Sequence, residues 1–240
     1  MKRIISVTLP VLLPAVLVLL GLSGVGAQTV RRSPELPRFM GREVTITEPE
    51  ASADGFFPKG PASVCVEGPP QRQCYTAPEG FGRRPTVELV QVEKDKPALL
   101  FSAETPGTSG WQVHFALLRP GSEKNLQNLF MSDPSVSNQS QHAFWNESAV
   151  SEVPVFVTAD FVWGPSESHY VEHRYIISAY VWRHESLTDN FAYYLEDRYM
   201  TVRKYDLDAN ANVLNSEKPE ILARLKRVKA ETERQQRAPR

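Results

Sequence analysis

The chain has almost no cysteine, no excess of charge of either sign and none of the common catalytic signatures, and each absence narrows its role. Two cysteines in 240 residues exclude a small disulfide-dense scaffold, and a chain of this length buries a core without such staples. Lys plus Arg and Asp plus Glu nearly cancel, leaving a formal charge of −1. That balance offers no electrostatic footprint for nucleic acid or for an anionic membrane. A nucleophile elbow is missing: the nearest approach, Gly107-Thr108-Ser109-Gly110, lacks the G-x-S-x-G spacing and falls in a turn. There is no P-loop, dinucleotide fingerprint, HExxH or CxxC, so no motif assigns a catalytic residue, a metal or a cofactor.

What is present begins with an export signal. Lys2 and Arg3 precede an apolar stretch from Ile4 to about Leu22, and Val25-Gly26-Ala27 supplies small residues for cleavage after Ala27. Pro10 and Pro14 interrupt the stretch and no basic stop-transfer cluster follows at once, which favours cleavage over a retained anchor. No cysteine lies near the cut, so a lipid anchor is not available there. The membrane then meets the chain only in transit, and the mature protein is expected to be secreted or periplasmic. Cys65 and Cys74 flank Gly68-Pro69-Pro70; if the flanking segments pair as a hairpin, the two fall opposite each other within bridging distance.

Five regions follow from the patterning: a signal peptide over 1–27, an extended arm or linker over 28–59, a β-rich domain over 60–205, a loop and helix over 206–231, and a disordered tail over 232–240. Within the arm only Glu43–Thr47 reads as a strand. Period-two alternation marks Trp111, Val113, Phe115 and Leu117, and again Val153, Val155, Val157, Ala159, Phe161 and Trp163. Thr86–Glu93 and Ala98–Ala103 read as two further strands about a charged turn, and Tyr170–Arg183 as the longest one. Phe191–Tyr205 is composed for either a helix or the returning strand of a hairpin, of which the strand is preferred. Ile221, Leu222, Leu225 and Val228 recur at helical spacing, with Glu220 four residues before Arg224. The expected fold is all-β, an antiparallel sandwich or partly open barrel with a C-terminal amphipathic helix.

Candidate functional residues are aromatic. Tyr170, Tyr180 and Trp182 fall on one face of one strand, the face that also carries Glu172 and Arg174, where planar rings can stack on sugars or anchor a partner. The leading expectation is thus an exported, non-enzymatic β domain that binds a protein or a glycan. An exported hydrolase built from carboxylates is the alternative, with Asp160, Glu172, Glu196 and Asp197 as its candidate acids. His169 and His173 lie roughly 13 Å apart along a strand, too far to share a metal, and His184 falls in a polar turn. Asn138-Gln139-Ser140 and Asn146-Glu147-Ser148 fit the glycosylation acceptor pattern, which matters only in a eukaryotic secretory route.

One local resemblance stands out. Asp206, Asp208, Asn210, Asn212 and Glu217 occupy positions 1, 3, 5, 7 and 12 of a segment that resembles the calcium loop of an EF-hand, with Val213 at the apolar eighth place. Ala211 departs from it where the sharp turn takes Gly, and Leu214 where a polar residue is usual. The resemblance implies a calcium ion held by oxygens of Asp206, Asp208 and Asn210, the backbone carbonyl of Asn212 and the Glu217 carboxylate; otherwise the segment is a polar loop with Glu217 near a helix N-terminus.

Overall fold

The computed structural model describes residues 29–31, 36–107, 110–121, 124–137, 141–165, 167–168, 171–185, 190–206 and 212–237. The expected signal peptide therefore lies outside the described residues. Three antiparallel sheets and one helix stack in four layers.

The first sheet runs β1 (Thr29–Arg31), β2 (Val44–Glu48), β3 (Ser63–Val66), β4 (Gln73–Thr76), in that spatial order. The β3–β4 hairpin places Cys65 opposite Cys74, and a disulfide joins them at a Cα separation of 4.1 Å. The segment read as an arm is extended as expected, but it supplies β1 and β2, and Phe39, Val44 and Ile46 sit in the core. Its far end is held by close backbone approach. A Cβ added at Gly82 would lie 2.1 Å from the Gly60 carbonyl oxygen and 2.5 Å from Pro58 Cβ, so only glycine lets these segments meet.

The second sheet contains β5 (Arg83–Glu93), β6 (Lys96–Gly107), β7 (Gly110–Pro120) and β8 (Leu126–Asn128), with β9 (Ser135–Ser137) also on β7. It is the middle layer. Leu99, Phe101, Ala103, Ala116 and Leu118 pack against the first sheet, while Ala98, Leu100, Phe115 and Leu117 pack against the third. A strand covered on both faces needs apolar residues at consecutive positions, which is why Ala98–Phe101 and Phe115–Leu118 are unbroken apolar runs. Each large side chain so enclosed contributes about 1.5–3 kcal/mol.

The third sheet runs β10 (Gln141–Trp145), β11 (Val155–Val162), β12 (Arg174–Glu185), β13 (Asn190–Met200). The segment that could have been helix is thus the returning strand of the hairpin, as preferred, over Asn190–Met200. The far face of this sheet carries Val157, Ala159, Tyr175 and Ile177, and on it lies α1 (Val213–Arg237) through Val213, Leu214, Ile221 and Leu225. Asn212 caps the helix, its Oδ1 accepting from the Asn215 N–H at 2.9 Å. The helix is longer than its apolar spacing marked, extending through Thr232 to Arg237. Arg224 does not pair with Glu220 as its spacing suggested: its guanidinium grips Asp197 of β13 through two bonds of 2.6 and 3.0 Å and lies over the Tyr199 ring, while Glu220 pairs with Arg227.

The fold class is as expected: mostly β, antiparallel, with a C-terminal helix. Among the described residues the sheets close no barrel, and no helix is long and apolar enough to cross a membrane.

Candidate functional site

The three aromatic candidates do not form one open surface. Tyr170 lies outside the described residues. Tyr180 is only 8% exposed; it packs in the cluster between the second and third sheets, with Phe130, just past β8, and its own sheet's Phe156 each 5.8 Å from its ring. Burial pushes its hydroxyl pKa upward. The face that looked polar is the inner face of the sandwich over this stretch, so Tyr180 is core.

Trp182 differs. It stands two residues further along β12, at the margin of the same cluster, and is half-buried. The register pairs Trp182 with Tyr193 and His184 with Phe191 across the β12–β13 hairpin. Phe191 therefore comes to lie beside Trp182, the two rings 6.0 Å apart and within 20° of parallel. His184 packs against the same Phe191 at 4.6 Å. The Arg119 guanidinium sits 5.5 Å from the Trp182 ring, held by Glu93, whose partial burial opposes ionisation while Arg119 and Lys96 outweigh it and keep the carboxyl below its usual range. The exposed ring is Phe191, 55% accessible; Trp182 supports it from beneath.

These rings line an open groove of about 720 Å³ at the end of the sandwich. Its walls are the β5–β6 turn (Glu93, Lys94), the loop from Val150 to Pro154 and the end of β12. Lys229 of α1 closes one side, its ammonium donating to the Val150 carbonyl at 3.2 Å. Asn146, of the second glycosylation pattern, is exposed and lines the groove; Asn138 lies outside the described residues. A smaller cavity of about 170 Å³ with Val150, Val181 and Leu225 on its walls continues from the groove beneath α1.

The candidate acids stay apart. Asp160 lines a separate cleft of about 220 Å³ near Trp111, where one carboxylate oxygen accepts from the Ser137 N–H at 3.0 Å. Glu196 pairs with Arg183 and Asp197 with Arg224, and Glu172 is exposed. His169 lies outside the described residues. His173 is fully buried, Nδ1 being 3.3 Å from both the Val162 carbonyl and Glu167 Oε2. His114, also buried, has Nε2 at 2.9 Å from the Tyr75 hydroxyl; burial lowers the imidazole pKa and pushes that of the tyrosine up to about 12. His184 belongs to β12 and not to the turn.

Of the loop that resembles a calcium site, residues 207–211 lie outside the described residues. The Asn212 carbonyl accepts from the Ser216 N–H at 3.1 Å while its side chain caps the helix, and Glu217 is claimed by tyrosines. Its Oε1 accepts from the Tyr205 hydroxyl and its Oε2 from the Tyr199 hydroxyl at 3.1 Å. Burial first, and then this carboxylate, raise both phenol pKa values, that of Tyr205 to about 12. The carboxylate is thereby a clamp between α1 and β13. Among the described residues no group of three or more His, Cys, Asp or Glu side chains is placed to hold a metal ion.

Phe191, Arg119, Lys94 and Lys229 were not singled out by sequence. Phe191 was within reach of it, since a tight β12–β13 hairpin in the right register sets it opposite His184 and diagonal to Trp182; the other three come from elements whose meeting no local pattern encodes. No protein family, curated protein or solved structure compared with this chain matches it.

Proposed function

We propose that this chain is an exported, non-enzymatic binding domain that holds a glycan in the Trp182–Phe191 groove. The observation that carries the reading is the Phe191 ring, exposed on the floor of a concave groove and stacked on a Trp182 that Arg119 fixes in place. A sugar ring presents an apolar face to such a platform and hydroxyls to its rim. The rim supplies them with donors and acceptors in Lys94, Asn146, Glu152, His184 and Lys229. A concave groove with a polar rim suits an oligosaccharide better than the flat surface of a folded protein. Export is supported by the signal-like first 27 residues and by a disulfide that persists in an oxidising compartment. The hydrolase alternative needs two acids facing across one cleft; of its candidate acids Asp160 and Glu196 border different cavities, and in the groove itself Glu93, which lines it with Glu152, is tied to Arg119 and Lys96.

Screening the mature protein on a glycan array, followed by calorimetry on the best hit, tests the reading. Phe191→Ala is expected to weaken binding roughly tenfold or more with little change in melting temperature. Failure to retain any glycan, or equal affinity in Phe191→Ala, overturns it.

A further inference from the structure

The outer edge of β13 is filled only at its beginning. Tyr193 donates to the Leu129 carbonyl at 2.8 Å and accepts from the Met131 N–H at 3.0 Å. Beyond it, among the described residues, no strand pairs with the edge from Leu195 to Met200. Strand alternation sets which backbone groups point out. Tyr193 faces outward, so Leu195 does too, and the bulge opposite Ala179–Tyr180 shifts the parity by one, leaving Arg198 and Met200 outward. The inward bond from the Thr201 N–H to the Tyr175 carbonyl at 2.7 Å agrees with that assignment. Such an edge is a template for another strand.

The side chains beside it define what fits. Leu195 is 41% and Met200 51% exposed, and Met131 is exposed at the filled end. Arg198 stands opposite Ser178, and Arg174 lies two residues before Ile176 on the same face. Both arginines are exposed, and neither has an acidic partner among the described residues. Asp160, level with Ile176 on this face, already accepts from the Ser137 N–H. The surface is therefore apolar, cationic and lined by open backbone groups. A bilayer leaves those backbone groups unsatisfied, whereas an extended peptide satisfies them.

We infer that β13 docks an extended acidic segment of a partner protein as an added strand, its backbone pairing with Leu195, Arg198 and Met200 and its carboxylates facing Arg198 and Arg174. Six residues span this edge, roughly 20 Å of strand. This is a different surface from the glycan groove and stands independently of it.

The probe is a fluorescein-labelled hexapeptide alternating valine and glutamate, read by anisotropy against the mature protein. Binding is expected, weakening roughly tenfold with Arg198→Glu and at least as much when alternate peptide nitrogens are methylated, a change that leaves the protein's own fold untouched. Amide exchange at Leu195 and Arg198 should slow in the complex, and Phe191→Ala should leave capture unchanged, which keeps this inference separate from the groove. Absence of binding at millimolar peptide overturns it, as does indifference to N-methylation, or preference for phosphatidylglycerol vesicles over the peptide.

Discussion

Removing the Glu217 carboxylate is expected to release the helix from the sheet, and the size of the effect follows from what the side chain touches. Two phenol hydroxyls donate to it, one from Tyr205, which is buried, and one from Tyr199, which is half-buried. A hydrogen bond to a charged group contributes about 1.5–3 kcal/mol, and the partial exposure of Glu217 favours the low end for each. Glu217→Ala should therefore cost about 3 kcal/mol. Glu217→Gln, which keeps one acceptor oxygen, should cost about half of that. Tyr205→Phe should lose about as much as Glu217→Gln, and the double variant Tyr205→Phe/Glu217→Gln should lose less than the two singles together, because they share one bond. Denaturant unfolding followed by far-ultraviolet circular dichroism measures all four. Losses below about 0.5 kcal/mol for Glu217→Ala, or strict additivity in the cycle, would refute the clamp. The same series separates a clamp from a calcium ligand: with both oxygens engaged, millimolar calcium should not move the melting temperature of wild type or of Glu217→Gln.

Gly82→Ala should destabilise strongly, because its Cβ would meet the Gly60 carbonyl oxygen at 2.1 Å, while Gly60→Ala, with open space around it, should differ little in melting temperature. Acid should weaken the fold through Glu167. The Lys204 ammonium and the Gly164 N–H that it accepts from hold its carboxyl at about 2, against an ordinary 4.5. A carboxylate with a depressed folded pKa contributes fully above its unfolded value and loses that contribution as pH falls through the folded one. Thermal melts between pH 4.5 and 2 should thus fall more steeply in wild type than in Glu167→Gln; parallel curves would show that the ion cluster is energetically idle.

Much of the fold is legible in the sequence because each layer leaves its own period. β11 reads as alternating since Val155, Val157, Ala159 and Phe161 face α1, and α1 reads as a helix because Ile221 and Leu225 return to that sheet every four residues. The three-sheet stack is less legible. Ala98–Phe101 is an apolar run that either a buried strand or a short helix segment would show, and nothing local says that both faces are covered. The extended segment around Val44 is misleading for a related reason: its apolar residues are few, but Phe39, Val44 and Ile46 all reach the core, where β2 pairs with β3 and packs against the second sheet.

The site was legible only as far as one strand extends. Alternation along β12 correctly puts Tyr180 and Trp182 on the same face, yet Tyr180 is buried in the core while Trp182 is half-buried and lines a groove. Where a covering layer ends depends on strand length in a different sheet and on the angle between the two, neither of which is written in the residues being covered. The cross-strand neighbour is the more dependable guide. Once the hairpin is granted, pairing His184 with Phe191 follows from counting back from the turn, and it identifies Phe191 as a ring diagonal to Trp182 without knowledge of the second sheet. The same counting fails at the bulge over Leu195–Asp197, where Tyr180 pairs with Leu195 but Ala179 pairs with Asp197. That single extra residue turns Arg198 and Met200 outward beside Leu195, so the property that makes β13 a docking edge arises from register, which neither composition nor hydropathy records.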